Sequence, residues 1–282
     1  MRPPFSFTLP LPVCLSFALL AALLGCAAPP PSPTRLQANQ LDAVLPADVL
    51  LLGEQHDAPE HQQLQRDTVT QLAARGQLAA LVLEMADTGG STATLAPNAS
   101  ETTVRGALRW DTSGWPWPTY GPVVMAAVHA GVPVLGANLP RAGSRGAMQD
   151  PTLDTRLSAP AWANQQQLIA DGHCGLLPTS QLPAMARIQV ARDRAMADAT
   201  AAAAQPGKTV LVLAGSGHVD RTLGIPQHLP ATLAVKTVRL LAADTVSVDA
   251  DSARFDAWWL TPPLPPKDHC AELRERFKPP AK

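Results

Sequence analysis

The sequence predicts an α/β protein: a mostly parallel sheet flanked by helices, with a helical insert. Three observations carry that prediction. Four short apolar runs are continuous rather than alternating, helical patterns lie between them, and polar residues follow each run at once. Continuous apolar character implies burial on both faces, as in a strand inside a parallel sheet. Helices between such runs supply the crossover connections. The 282-residue chain has a formal charge of −1, and 46% of its residues are hydrophobic. That fraction fills a sizeable core and argues against general disorder. No Lys/Arg-rich block provides the basic footprint that nucleic-acid binding needs, so that class is set aside.

The first element is not part of the fold. After Arg2, residues 13–25 are apolar and end Leu23-Leu24-Gly25-Cys26. A membrane-crossing helix needs roughly 20 such residues, whereas this length suits the h-region of a secretory signal. "LLGC" resembles a bacterial lipobox with Cys26 as the lipidated (palmitate-bearing) first residue; an ordinary signal cut near Ala27 is the other reading. The expected organisation is a lipoprotein signal peptide at 1–25, a Pro-rich tether at 26–40, an α/β domain at 41–265 and a tail at 266–282. The "AAPPPSPT" of the tether is stiff and extended. A lipid on Cys26 implies anchorage in the bacterial cell envelope, and Ala27 behind it fits the outer membrane. Cys14 leaves with the signal, so Cys174 and Cys270 remain. In an oxidising compartment they either pair or stay as unrelated thiols, and their positions leave both readings open.

The four runs are residues 49–52, 80–83, 132–135 and 210–213; 234–241 and 245–248 are expected edge strands. The residues directly after each run carry the chemistry. The first run delivers Gly53, Glu54, Gln55 and His56, and the second Glu84. The third delivers Asn138 and Arg141, and the fourth Gly215, Ser216, Gly217 and His218. Open α/β sheets bind ligands beyond the carboxyl ends of their strands. Asp57-Ala58-Pro59-Glu60 reads as a capping box with proline in the first turn, which puts His61, Leu64, Thr68 and Leu72 on one helix face. Residues 88–118, rich in tryptophan, read as a loop or lid. Residues 150–205 read as the helical insert, where Met185, Gln189, Arg192 and Met196 share a face. An arginine there either pairs with an anion or snorkels to water.

"GEQH" and "GSGH" repeat one pattern, a glycine and then a histidine three residues on, directly after a strand. Two such histidines converging with Glu54 and Glu84 suit a divalent transition metal held by His56, His218 and Glu84. They equally suit general acid–base work on a water by Glu54, His56, Glu84 and His218. The G-x-S-x-G elbow is missing around Ser216, and no phosphate-binding glycine motif is complete.

Together "LLGEQHDAPEHQQLQ", "LVLEM", "GANLPR", "DGHCGLLP", "QVARDRAMA" and "LAGSGHVDRTLGIPQHL" resemble the ChaN-like lipoprotein family. That family is related in turn to the superfamily of Tiki proteases, TraB proteins and erythromycin esterases. The resemblance implies an α/β fold, haem as cofactor, a role in bacterial iron acquisition and a homodimer enclosing haem. By position it makes Glu54, His56, His61, Glu84, Asn138, Arg141 and His218 motif residues of the site, and Gln189, Arg192 and Asp193 motif residues of the insert. It gives Arg141 and Arg192 to haem propionates and tilts Cys174 and Cys270 towards a disulfide. Axial ligands to haem are commonly His, Tyr, Cys or Met, so Tyr120, His173 and the insert methionines are the candidates. The hydrolase relatives imply the alternative: an esterase-like or protease-like enzyme using the paired glycine–histidine motifs.

Overall fold

The computed structural model describes residues 34–243 and 253–276. The expected signal peptide, Cys26, the proline-rich stretch before Thr34 and the expected strand at 245–248 lie outside these residues. Six strands form one all-parallel sheet: β1 (Val49–Glu54), β2 (Leu78–Asp87), β3 (Val134–Asn138), β4 (Thr209–Gly215), β5 (Val235–Ala242) and β6 (Ala257–Thr261). Their spatial order is β3-β2-β4-β1-β5-β6. The described helices are α1 (Ala38–Asp42), α2 (Pro59–Ala74), α3 (Glu101–Ala107), α4 (Trp117–His129), α5 (Ser144–Gln149), α6 (Ala159–Gly172), α7 (Leu182–Ala203), α8 (Ser216–Val219) and α9 (His269–Arg276).

Three of the four apolar runs lie wholly within strands, and the third only in part, since β3 starts at Val134 and leaves Val132 and Pro133 before it. Leu50 and Leu52 face one layer, with Leu64 and Leu72 of α2 and Val123 and Val124 of α4. Val49 and Leu51 face the other, with Met196 and Ala197 of α7. Fully burying such a side chain contributes roughly 1.5–3 kcal/mol, so both layers grip β1 strongly. The connections β1→β2→β3 run one way along the sheet, and those from β3 to β6 run back. Right-handed crossovers then place α2 and α4 on one face and α7 and α8 on the other. β4 lies between β2 and β1, whose connections leave on the face opposite its own. The carboxyl end of β4 is therefore a topological switch point.

Several expectations change. The run at 234–241 is not an edge strand: β5 is covered by β6, whose Trp259 is buried. The capping box at Asp57 does not form, because the helix starts two residues later with Ala58 at the N-cap. Glu60 instead accepts from the Thr34 amide. Residues 88–118 are not all loop: they contain α3, capped by Ser100, and the tryptophans pack as core, with Trp110 against Trp117 and Tyr120. Nor is the helical stretch before β4 wholly an insert, since α7 is itself the crossover helix packed on the sheet. The segment after residue 266 carries α9, and its Cys270 is joined by a disulfide to Cys174 in the loop after α6.

Gly53 lets the two halves of the edge meet. A Cβ there would stand 2.9 Å from the Ser216 Cα and 3.1 Å from the Val219 Cβ of α8. Backbone cannot yield as a flexible side chain does, so Gly53→Ala should destabilise by about 1–3 kcal/mol. Denaturant unfolding measures this, and an unchanged midpoint would show that α8 does not pack as described.

Candidate functional site

Glu54 ends β1, and its parity directs it to the face of α2 and α4. Its carboxylate is fully buried, a position that costs several kcal/mol unless every lone pair finds a donor. Four donors converge on it. Oε1 accepts from His56 Nδ1 and from the Tyr120 hydroxyl, both at 2.7 Å. Oε2 accepts from the side-chain amides of Gln62, at 3.1 Å, and Gln65. The two glutamines stand three residues apart on α2, which puts them on one face. Sequence reading passed over them, though two buried-face amides beside His61 were a usable signal.

Glu84, on β2, has the opposite parity and points to the face of α7 and α8. It accepts from the Gly215 amide at 2.7 Å and lies 3.5 Å from His218 Nε2. The other ring nitrogen, His218 Nδ1, meets Asp193 of α7 at 2.6 Å. Burial disfavours charge on His218, but the two carboxylates outweigh it and raise its pKa to about 10. Burial alone would likewise raise Glu84; His218, His56 and the Gly215 amide bring it down to about 2. Asp193 shares the same imidazolium with less support, and burial pushes it up to about 6. The result is an imidazolium clamped between two buried carboxylates.

His56 joins the two sides. Its ring crosses the end of β4, and Nε2 would lie 3.0 Å from a Cβ built on Gly215. Burial opposes its charge, yet the Glu54 hydrogen bond and the charges of Glu84 and Glu54 raise its pKa above the usual histidine value. Trp115 meets the ring edge-on, with centroids 4.9 Å apart. The side chain is still 42% exposed, so it is the member of the cluster most open to a ligand.

Other sequence-predicted residues take different places. His61 is fully buried; its Nδ1 accepts from the Gln55 amide, and burial lowers its pKa to about 4. It is a neutral brace for the turn. Tyr120 is 1% exposed and donates to Glu54, with Trp110 and Trp115 around its ring. Burial, then Glu54, raises its pKa, so its phenol is held protonated and turned inward on Glu54. His173 caps α6, with Nδ1 on the Ile169 carbonyl, and lines a crevice of about 250 Å³ with Gln189, Asp193 and His218. Arg141, Arg192 and Asn138 line a second cavity, of about 560 Å³, together with Trp115, Met148, Arg109 and Arg145. Nothing in the sequence pattern singled out Arg109 or Arg145. His173 is thus not brought together with Arg141 and Arg192. The expected metal set of His56, His218 and Glu84 is not formed either. Among the described residues no three His, Cys, Asp or Glu side chains are grouped to hold a metal ion. The Nδ1 atoms of both histidines are engaged by carboxylates, and Glu84 is committed to His218 and Gly215.

The clamp makes stability pH-dependent. A histidine whose folded pKa is raised adds stability that is fully present below its unfolded value, 6.5, and fades as pH climbs through the folded value near 10. The thermal midpoint should therefore fall between pH 6.5 and 10 by more in the native chain than in His218→Gln. Equal slopes would contradict a charged His218.

Comparisons with known proteins agree with this architecture. A profile of the family described as haem-binding uptake, Tiki superfamily, ChaN matches residues 40–229. Curated protein sequences gave no match. Among solved structures the chain is similar to ChaN of Campylobacter jejuni, described for cofacial haem binding, at 24% identity and a TM-score of 0.64, over 77% of this chain and 89% of that one. It also matches the type III effector HopBA1 (17% identity, 74% of this chain and 85% of that one, TM-score 0.43). A Bacillus cereus protein matches at 14% identity, over 72% and 68%, with a TM-score of 0.45. The chain belongs to the ChaN family of haem-binding uptake proteins in the Tiki superfamily.

Proposed function

We propose that this protein is a lipid-anchored haem-binding protein of the bacterial cell envelope, serving haem or iron acquisition. The observation that carries the reading is the family match across residues 40–229. The chemistry of the carboxyl edge fits haem. The cavity holding Arg141 and Arg192 combines guanidinium groups with Trp115, Leu139 and Met148. Guanidinium forks suit propionates, and the apolar lining suits a porphyrin face. Bound haem would supply an iron centre. Met148 on the cavity lining, 37% exposed, is the soft donor that could meet it there, and His173 lines a separate crevice. The cofacial haem binding described for the Campylobacter ChaN supports extending the proposal to a homodimer. Lipidation of Cys26, with outer-membrane placement, rests on "LLGC" followed by alanine.

A second reading is water-activating hydrolysis, favoured by one observation that haem binding does not require. Two carboxylate–histidine assemblies stand at this edge: Glu54–His56, whose imidazole meets the cavity residue Trp115, and the buried Glu84–His218–Asp193, whose His218 and Asp193 line the crevice of His173. His56, oriented by Glu54 through Nδ1, is the group placed to exchange a proton with a water.

Haemin titrated into the full chain in detergent, against a detergent blank, should give a saturable Soret shift. Arg141→Gln with Arg192→Gln should weaken it by ~10-fold or more, the scale of losing charge-assisted hydrogen bonds. His56→Ala should leave it in place. No saturable shift would reject the haem reading, and a shift lost in His56→Ala would move the haem to the acid–base cluster. Separately, metabolic labelling with palmitate should mark the chain in a bacterial host and fail in Cys26→Ser. Equal labelling of the two would reject Cys26 as the lipid site.

A further inference from the structure

The arginine-lined cavity holds polar groups that haem propionates alone do not account for. Arg109, Arg141, Arg145 and Arg192 line it with Asp87 and Asp111, so four guanidinium charges face two carboxylates and leave a net positive lining. Among the described residues none of the four arginines lies within ion-pair distance of a carboxylate. Two buried atoms on the lining also lack partners. Arg192 Nε is a donor without an acceptor, and Asn138 Oδ1 is an acceptor without a donor. Asn138 is only 8% exposed. Leaving such a group unsatisfied costs about 1–3 kcal/mol, and a buried polar atom without a partner on a cavity wall marks the place of a missing ligand group.

The two orphans are complementary in kind. A carboxylate answers the arginines and Arg192 Nε, because it only accepts. It cannot answer Asn138 Oδ1, which needs an O–H or N–H. A haem propionate ionised at neutral pH supplies acceptors alone. A hydroxyl carried beside several carboxylates supplies the missing donor, and several negative charges suit a lining with positive charge to spare.

We propose that this cavity is a binding site for a small hydroxy-polycarboxylate, with its carboxylates on Arg141, Arg145 and Arg192 and its hydroxyl donating to Asn138. The site lies at the ends of β2 and β3, on rigid elements that fix Asn138 and Arg192 against each other. It goes beyond the haem reading, although Arg141 and Arg192 take part in both.

The test uses calorimetric titration of the full chain in detergent with citrate and with tricarballylate, the same tricarboxylate without the hydroxyl. Citrate should bind saturably and ~10-fold or more tighter than tricarballylate. Asn138→Ala should bring the two affinities together, and Arg145→Gln, a change at an exposed side chain, should weaken both. Absence of saturable binding by citrate, or equal affinity for the two acids in the native chain, would overturn the proposal. A haemin titration at saturating citrate separates the readings. Citrate binding with haemin displaced, or without any haemin binding, supports the cavity assignment. Haemin binding in a chain that ignores citrate overturns it and leaves the haem reading standing.

Discussion

Two carboxylates buried at the ends of neighbouring parts of one sheet, on opposite faces, organise this molecule. Glu54 points to the layer of α2 and α4, and Glu84 to the layer of α7 and α8. A carboxylate out of water is tolerated only when fully partnered, so each one forces its own layer to present donors. Gln62, Gln65 and Tyr120 meet Glu54; His218 and the Gly215 amide meet Glu84. His56 then crosses the end of β4 and couples the two sides. The bareness of Gly53 and Gly215 reflects the same constraint, because a side chain at Gly53 would press on Ser216 and Val219 of α8, and one at Gly215 on the His56 ring.

The sheet was legible because parallel strands buried on both faces leave continuous apolar runs, and residues 49–52 and 210–213 are such runs. β6 was not, because "AWWLT" is an edge strand with Leu260 exposed, and half-buried aromatics read equally as loop or lid. The importance of Glu54, His56, Glu84 and His218 was also legible, since polar residues right after buried strands cost stability unless each is given a partner. Their pairing was not. Convergence of two histidines and two glutamates suggests a shared centre, whereas strand parity sends the glutamates to opposite faces. That parity can be counted from the sequence once the strand ends are known. The partner of Tyr120 was not legible either, since a sole tyrosine gives no sign in sequence that its hydroxyl donates to Glu54.

The cluster and the arginine cavity share the edge but differ in state. The charges of the cluster are matched by close partners, although Gln65 Oε1 has none. The cavity is the reverse: its guanidinium groups face open space, and two of its buried polar atoms are unanswered. In the proposed function ligand recognition belongs first to the cavity, while the cluster presents one exposed imidazole beside it through Trp115. Family membership makes haem the leading ligand, and the unpaired arginines are the feature of this chain that suits its acidic side chains.

The most direct measurement is the position of iron in crystals of the protein grown with haemin, located by anomalous scattering. An iron peak at the carboxyl edge of the sheet, at the cavity lined by Arg141 and Arg192, is the predicted result. A peak at the opposite edge of the sheet, beside Arg75 and Lys208, would contradict the account and leave the buried cluster in need of another purpose.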